Sequence, residues 1–349
     1  MTVVALREFA LDLATPLSTA AGDVEVREGL LVRVDLDGTP GVGEATPLSG
    51  WTESPADCRA ALERAREEGT APGPDAPAAR HAVTLAYRDA VARRRGESVA
   101  GSLARGDPAG SVPVNATVGD GDAAETVAAA ETAVDAGYRA LKLKVGARGV
   151  EADVERVRAV AEAVRGRGDG HEDESVALRA DANGAWDREA ATRGLAALSG
   201  LVEYVEQPLP AGDLAGHAAL RGVGAPVALD ESLTRYGVGD ALAAGAADAL
   251  VLKPMALGGP SRALAAGRAA AAAGVDPVVT TTVDAAVARA GAVHVAAALP
   301  NGGERAHGLA TAGLLASDLV ADPTPVEDGR VAVPEGPGLA GDALDGLLG

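Results

Sequence analysis

The stretch ALKLKV, residues 140–145, is a short apolar run that is interrupted by lysine at two alternate positions. Residues i and i+2 of a β-strand point to the same side of the sheet. Lys142 and Lys144 are therefore predicted to project together, while the leucines beside them take the opposite face. Of the 31 basic residues in the chain, only these two and Lys253 are lysine. Because arginine supplies the surface cations, lysine inside apolar strands indicates proton-transfer chemistry.

Short apolar strands of this kind recur along the chain from about residue 112. Their predicted ends are Val118, Lys144, Asp181, Glu206, Asp230, Lys253, Thr280 and Gly308. The steps from Lys144 to Thr280 are 37, 25, 24, 23 and 27 residues, and each has room for a strand, a helix and two short loops. This spacing predicts parallel βαβ units. Because no Gly-x-Gly-x-x-Gly follows the first strand, a closed barrel is favoured over an open sheet.

The first hundred residues have a different pattern. Two stretches alternate as half-buried strands do and two have helical periodicity: residues 3–13 and 29–37, then 54–68 and 78–94. This pattern predicts an α+β domain of residues 1–108, completed by the Pro- and Gly-rich tail 323–349. The barrel then spans residues 109–322. Its longest step contains Gly166–Ser175, which is predicted to be a solvated loop.

Three of the predicted barrel strands end in a carboxylate: Asp181, Glu206 and Asp230. In a (β/α) barrel, residues at these positions line the C-terminal mouth, where active sites lie. Three buried carboxylates repel one another unless a cation lies among them, and Mg²⁺ prefers oxygen ligands. The competing interpretation is three unrelated surface acids, in a chain that has 50 Asp and Glu.

The lysines are predicted to lie beside this metal site. Two adjacent ammonium groups lower the pKa of at least one of them, which allows it to act as a base. Lys253 also ends an apolar strand and is expected on the opposite side of the metal. Lysines on both sides of a metal suit removal of a proton next to a substrate carboxylate, with the resulting dianion stabilised by the metal.

These motifs resemble the enolase superfamily, in its muconate-lactonizing-enzyme-like subgroup. Lys142-Leu143-Lys144 is similar to the paired-lysine strand of the subgroup, and Lys253-Pro254 to its second catalytic lysine strand. The strands that end in Asp181, Glu206 and Asp230 are similar to its metal-ligand strands. The resemblance implies a modified (β/α)7β TIM-type barrel with an α+β capping domain, and Mg²⁺, or Mn²⁺ in its place, on the three acids. It also implies that two loops of the cap close the site, Thr15–Asp23 and Pro47–Trp51.

Within the subgroup, three stretches resemble o-succinylbenzoate synthases of menaquinone biosynthesis: residues 41–48 with Trp51, 280–282 and 307–311. This likeness implies a syn dehydration of 2-succinyl-6-hydroxy-2,4-cyclohexadiene-1-carboxylate, a lyase reaction. Lys144 is then the base, Lys253 a stabilising cation, and Lys142 a residue that tunes Lys144. The implied substrate-binding residues are Asn183, Trp51, Thr280, Thr282 and Gly308. The stretch 307–311 departs from the usual pattern at Ala310, where an acid is common.

Other activities remain open. N-acylamino acid racemases and muconate cycloisomerases share the same lysines and acids. A mandelate-racemase-type site is disfavoured because the seventh strand ends in threonines and not histidine, and His294 and His307 lie elsewhere in the sequence. A dipeptide epimerase is disfavoured because no Asp-x-Asp occurs near Gly308. In a different class, the chain could be a non-catalytic metal-binding barrel that serves as a scaffold.

The net charge of −19 argues against nucleic acid and anionic membrane as partners. The partner that the resemblance implies is a small-molecule carboxylate substrate held by the metal. Acid excess combined with scarce lysine resembles proteins of salt-loving archaea. Arg7, Glu8 and Asp12 interrupt the N-terminus, which predicts a cytoplasmic protein without a signal peptide. The single cysteine, Cys58, excludes an intrachain disulfide. Homo-oligomer formation is left open by the sequence.

Overall fold

The computed structural model describes residues 2–19, 22–166 and 175–347. Most of the predicted loop Gly166–Ser175, namely residues 167–174, lies outside these ranges. Residues 20 and 21 of the predicted cap segment Thr15–Asp23 also lie outside them.

The N-terminal part is a three-stranded antiparallel sheet covered by helices. The strands are β1 (Thr2–Thr19), β2 (Gly22–Leu36) and β3 (Thr39–Ala45), and the helices are α1 (Pro55–Glu68), α2 (Pro77–Arg95) and α3 (Val99–Leu103). Helix α2 packs closely on β3, because a Cβ at Gly41 or Gly43 would collide with the carbonyl oxygens of Ala86 and Ala82. The described residues of Thr15–Asp23 belong to β1 and β2. The prediction of a loop there was therefore wrong, since the two strands pair up to Thr19 and Gly22.

The larger part alternates strands with helices. In chain order its elements are β4 (Ser111–Pro113), β5 (Ala116–Val118), α4 (Ala123–Asp135), β6 (Ala140–Lys144), α5 (Val150–Ala163), β7 (Ala177–Asp181), α6 (Arg188–Leu198), β8 (Tyr204–Glu206), α7 (Leu214–Leu220), β9 (Val227–Leu229), α8 (Ser232–Ala243), β10 (Ala249–Leu252), α9 (Pro260–Ala272), β11 (Asp276–Val279) and α10 (Ala286–Ala297). Strands β5 to β11 form one seven-stranded parallel sheet in sequential order. The predicted βαβ repeat is confirmed.

The segment His307–Gly308 joins the two edges of this sheet. Gly308 donates a backbone hydrogen bond to Val279 at the end of β11, with an N–O distance of 2.9 Å. On its other side, the carbonyl of His307 accepts from the amide of Asn115, between β4 and β5, at 2.9 Å. Parallel bridges pair Thr280 with Gly308 and Val114 with His307. The eighth position of the barrel is thus a short bridge and not a full strand, in agreement with the predicted (β/α)7β barrel.

The alternation along each strand separates two layers of the core. Leu141, Leu143 and their counterparts on neighbouring strands are buried against the surrounding helices. The opposite faces of β8 to β11 contribute a small apolar cluster inside the barrel, formed by Tyr204, Ala228, Ala249, Val251 and Val278. These side chains fill the barrel between its two ends, and active sites of such barrels lie at the C-terminal ends of the strands.

The C-terminal tail returns to both parts of the structure. Strand β13 (Arg330–Ala332) pairs with β4 and with β12 (Val326–Glu327). Further along, Leu339 donates its amide to the carboxylate of Asp89 on α2 at 2.8 Å. Residues 341–347 form a short 3₁₀ helix. These contacts support the proposed cap of residues 1–108 with the tail 323–349, and its limits remain a prediction.

One buried carboxylate ties the N-terminal sheet to the barrel. Glu44 on β3 is fully buried and accepts hydrogen bonds from the amides of Ala285, at 2.8 Å, and Ala288, at 2.9 Å. These amides belong to the first turn of α10, where free backbone donors favour a negative charge. Glu44 therefore caps a helix that lies more than 240 residues away in the chain. Among the described residues, no helix is both long and apolar enough to cross a bilayer.

Candidate active site

The predicted lysines and acids meet at the C-terminal ends of adjacent strands. Lys144, Asp181 and Glu206 lie side by side in register across β6, β7 and β8. Asp230 follows the last residue of β9, and Lys253 follows the last residue of β10. Because the strands are parallel and neighbouring, all of these side chains point into one mouth of the barrel.

Each carboxylate is paired with a lysine. Lys142 Nζ lies 3.0 Å from both Asp181 Oδ2 and Glu206 Oε1, so this one ammonium bridges two acids. Lys144 Nζ lies 2.7 Å from Asp181 Oδ2. Lys253 Nζ donates to both oxygens of Asp230, at 2.6 and 2.5 Å. The three acids have exposed fractions of only 1%, 2% and 4%, so these charges interact in a poorly solvated environment.

The acids differ in how well their charge is compensated. Burial raises the pKa of Asp181, but Lys142 and Lys144 outweigh it and hold that pKa below its usual value. Burial and the nearby charge of Asp181 raise the pKa of Glu206. Burial also raises the pKa of Asp230, with Lys253 opposing the rise and the carboxylates of Glu231 and Glu206 adding to it. The anionic forms of Glu206 and Asp230 are therefore less well compensated than that of Asp181.

The charges around Lys142 raise its pKa and do not lower it. Burial lowers the pKa of Lys142, but the carboxylates of Asp181, Glu206 and Asp230 raise it well above its ordinary value. Lys142 is therefore not a lysine whose pKa is lowered, because the three carboxylates outweigh its burial. Lys142 remains a fixed cation in this site.

The donor chemistry of the site fits a hard divalent cation. Carboxylate oxygens on three consecutive strand ends are the ligand type that Mg²⁺ prefers, and the raised pKa values of Glu206 and Asp230 indicate negative charge that a cation would relieve. The buried Oε2 atom of Glu231 has no hydrogen-bond partner among the described residues. In the part of the chain that the structure describes, no three His, Cys, Asp or Glu side chains are already arranged to hold a metal ion. Each of the three acids forms an ion pair with a lysine instead.

Two polar residues after the strand ends hold the site in shape. Asn183 accepts a hydrogen bond from Lys144 at 2.8 Å through Oδ1 and donates to Glu231 at 3.0 Å through Nδ2. Gln207 accepts from the amides of Asp230 and Ser232, each at 3.1 Å. Asn183 and Gln207 both have left-handed backbones, with φ of 43° and 44°, which turn the chain sharply after each acid. Gln207 and Glu231 were missed by the sequence reasoning, and their position next to the strand-end acids was the available signal.

The other predicted substrate-binding residues divide into two groups. Trp51 lies at the site, with the centroid of its ring 3.3 Å from Lys253 Nζ. Thr280 follows β11 beside Lys253, and its hydroxyl donates to the carbonyl of Gly308 at 2.7 Å. Thr282 is buried, and its hydroxyl donates to Asp284 at 2.5 Å. Contact of Thr282 with the substrate stays a prediction.

His294 and His307 each make hydrogen bonds to backbone groups and not to the site lysines. His294 lies in α10, where its Nδ1 accepts from the amide of Ala100 at 3.2 Å. His307 Nδ1 accepts from the amide of Val279 at 3.0 Å. Burial lowers the pKa of both imidazoles, to about 4 and about 3, so both are neutral near pH 7.

Comparisons with known proteins agree with this geometry. The family described as Enolase C-terminal domain-like matches residues 125–343. The o-succinylbenzoate synthase of Thermobifida fusca (strain YX) is 36% identical over 322 residues, which cover 89% of this chain and 82% of that protein. The dipeptide epimerase of Methylococcus capsulatus, solved in complex with Mg and the dipeptide L-Arg-D-Lys, is 30% identical with a TM-score of 0.81, over 97% of this chain and 99% of that one. The muconate lactonizing enzyme of Pseudomonas fluorescens, solved with muconolactone, is 26% identical with a TM-score of 0.82, over 97% and 95%.

Proposed function

The chain belongs to the enolase superfamily, through its Enolase C-terminal domain-like family, and on that premise we propose that it is an o-succinylbenzoate synthase. The reaction is the syn dehydration of 2-succinyl-6-hydroxy-2,4-cyclohexadiene-1-carboxylate. Its place would be menaquinone biosynthesis in the cytoplasm. We further propose that the cap, through Trp51, covers the mouth of the barrel during the reaction.

The observation that carries this proposal is the position of Lys253. Its ammonium is held by both oxygens of Asp230 and faces the Trp51 ring at 3.3 Å. A cation over an aromatic face is a stabilising contact. A ring-shaped substrate, which becomes aromatic on dehydration, would offer Lys253 a similar face. Identity of 36% to an o-succinylbenzoate synthase supports the same choice.

The residues of the chain perform the chemistry as follows. Lys144 Nζ, as the free amine, takes the proton from the carbon next to the substrate carboxylate. Lys253 stays protonated and stabilises the dianion that results. Lys144 then returns the proton to the departing ring hydroxyl, the C–O bond breaks, and water leaves as the ring becomes aromatic. Because Lys144 acts on both groups, the two leave from the same face.

Asp181, Glu206 and Asp230 would hold Mg²⁺, which when bound supplies positive charge opposite the developing charge on the substrate carboxylate. Lys142 remains a cation beside Asp181 and Glu206, and so it limits the negative charge that Lys144 meets. Asn183 orients the Lys144 ammonium through its Oδ1. Stabilising the first anion is the larger demand, since aromatisation makes the second step favourable.

A racemase or epimerase is the second candidate. Inversion at a carbon needs an acid or base on each face, and Lys144 and Lys253 supply two amines at the ends of different strands of one site. The 30% identity to a dipeptide epimerase fits this alternative. Muconate cycloisomerase is a third member of the same set, supported by the likeness to the lactonizing enzyme.

Direct assays distinguish these activities. The purified protein is supplied with Mg²⁺ and molar KCl and is tested for dehydration of the cyclohexadiene carboxylate, racemisation of N-succinyl amino acids, epimerisation of dipeptides and lactonisation of muconate. We expect dehydration to have the highest kcat/KM. A higher kcat/KM for any of the other three would replace the proposal with that activity. Absence of all four, in a protein that still binds Mg²⁺, would favour the scaffold interpretation.

A further inference from the structure

Two buried charged residues on helix α5 hold the backbone around Lys144. The guanidinium of Arg156 donates through Nη2 to the carbonyl oxygen of Lys144. Asp153 accepts a hydrogen bond from the amide of Gly146 at 2.7 Å. The two side chains also pair with each other at 3.1 Å. The two successive peptide groups that flank Val145, directly after the end of β6, are therefore held by one ion pair.

The same guanidinium joins a second strand. Arg156 Nη1 donates to the carbonyl of Gly119, just after β5, at 3.1 Å, and to Thr126 Oγ1 on α4 at 3.3 Å. Arg156 thus fastens the ends of β5 and β6 to helices α4 and α5. A planar group with several fixed donors can make these contacts together, which a flexible ammonium cannot.

This buried ion pair contributes little net stability to the fold. Arg156 and Asp153 have side-chain exposures of 2% and 1%, and burying two charges costs desolvation that their attraction barely repays. Arg156 Nε is also buried without a hydrogen-bond partner among the described residues. Apolar residues of similar volume would hold α5 against the barrel as well. The pair is better explained by the accuracy with which it sets the backbone than by stability.

The position of the Lys144 amine depends more on an accurately placed backbone than do the amines of Lys142 and Lys253. Its side chain is 36% exposed, whereas those of Lys142 and Lys253 are 17% and 10% exposed. Asp181 and Asn183 hold the tip of its side chain, at 2.7 and 2.8 Å from Nζ, but its four-carbon stem is less enclosed, so the amine position also depends on the direction of the Cα–Cβ bond that the backbone sets. Gly146, at φ 96°, completes the tight turn, because a Cβ there would come 2.7 Å from that of Ala185.

We propose that Arg156, oriented by Asp153, is a positioning residue that aims Lys144 at the proton it removes. The inference rests on the proposed function only in taking Lys144 as the base. The partners of Arg156 are Lys144, Asp153, Gly119, Gly121 and Thr126, and of these only Lys144 belongs to the proposed site. Its loss should therefore leave substrate binding intact and slow the proton-transfer step.

The test compares Arg156→Met, Arg156→Lys and Asp153→Asn with wild type. In Arg156→Met we expect kcat to fall roughly 10- to 100-fold, as for a small misplacement of a reacting group, while KM changes less than about threefold. The kinetic isotope effect for substrate deuterated at the α-carbon should rise, because proton removal becomes slower relative to the other steps. Arg156→Lys, which can restore one of the hydrogen bonds, should recover part of kcat.

The control is Arg93→Met, which removes another ion pair to a buried carboxylate, that of Arg93 with Asp89 on α2. It should lower the melting temperature without changing kcat or the isotope effect. Unchanged kcat in Arg156→Met, or the same losses in Arg93→Met, would overturn the proposal. If Arg156→Met does not fold, Arg156→Lys and Asp153→Asn decide by the same criteria.

Failure of the proposed function is separable from failure of this inference. Exchange of the α-proton with D₂O is measured on whichever carboxylate substrate the wild type accepts, with Lys144→Ala as the reference without the base. The Arg156 variants should slow that exchange even if the overall reaction is not a dehydration.

Discussion

Lys253 Nζ lies 3.3 Å from the centroid of the Trp51 ring, which places a barrel lysine directly under a residue of the loop between β3 and α1. The contact is made across some 200 residues of sequence, so it exists only when the N-terminal part is folded onto the barrel mouth. Through this contact the cap touches a residue that we assign to catalysis. A cation–π contact stabilises the charged form of the lysine and involves no proton transfer.

Lys253→Arg separates the cationic role of this residue from a proton-carrying one. Arginine keeps the charge but cannot give up a proton at ordinary pH. We expect dehydration to survive at a reduced rate, because the larger guanidinium fits less well, and any racemisation to vanish. Both rates are measured on the same preparation. Equal large losses, or racemisation that outlasts dehydration, would show that Lys253 is more than a cation.

Lys144→Ala removes the proposed base. General acid–base catalysis contributes about 10²- to 10⁴-fold, and here one amine serves both steps, so a loss at or beyond the upper end is expected. Circular dichroism should show an unchanged fold, since Lys144 is partly exposed at a strand end. A variant that keeps more than a few per cent of the wild-type rate would exclude Lys144 as the essential base.

The variants Asp181→Asn, Glu206→Gln and Asp230→Asn each remove one proposed metal ligand. Calorimetric titration should show weaker Mg²⁺ binding in each, together with lower activity. Glu203→Gln is the matched control, since Glu203 precedes β8 at the opposite end of the barrel and pairs with Arg179 and Arg305. Unchanged Mg²⁺ affinity in all three site variants would remove the metal assignment.

Glu44→Gln should change how stability depends on pH. Burial, reinforced by Asp284, raises the pKa of Glu44 from 4.5 to about 7, against hydrogen bonds from Thr46, Ala288 and Ala285 that lower it. A raised carboxyl pKa means that the folded state binds the proton more tightly than the unfolded state. The contribution of Glu44 to stability therefore falls as pH rises from about 4.5 to about 7, and is constant outside this window.

Urea unfolding of wild type and Glu44→Gln at several pH values measures this effect. The free energy of unfolding of wild type minus that of the variant should decrease between pH 4.5 and 7 by on the order of 3 kcal/mol, as a shift of this size implies. A difference that is constant with pH would mean that folding does not raise the pKa of Glu44.

Salt should stabilise the protein if its acidic surface is an adaptation to concentrated salt. With a net charge of −19, self-repulsion is poorly screened in dilute buffer, where the Debye length is about 30 Å at 0.01 M and about 3 Å at 1 M. The melting temperature should rise steeply from dilute buffer to molar KCl. A flat dependence would remove the halophilic interpretation, on which the comparisons with known proteins do not bear.

Much of the barrel could be predicted from local patterns in the sequence. The i, i+2 alternation at Lys142 and Lys144, and the regular recurrence of apolar strands ending in Asp181, Glu206 and Asp230, follow from backbone geometry that each strand carries by itself. Parallel strands linked by helices place their C-terminal ends together whatever the loop sequences are. For this reason the sequence alone predicts that the lysines and acids meet at one mouth of the barrel.

The tertiary structure decided which groups pair with one another. Thr282 faces Asp284, Lys142 is surrounded by opposite charge, and the eighth barrel position is the short bridge at His307–Gly308. Arg156 and Asp153 have the sequence pattern of an ordinary i, i+3 helix pair, and only packing shows that they hold the backbone of Lys144. Periodicity reports the local direction of a side chain, whereas its partners come from distant parts of the chain and depend on how whole elements pack against one another.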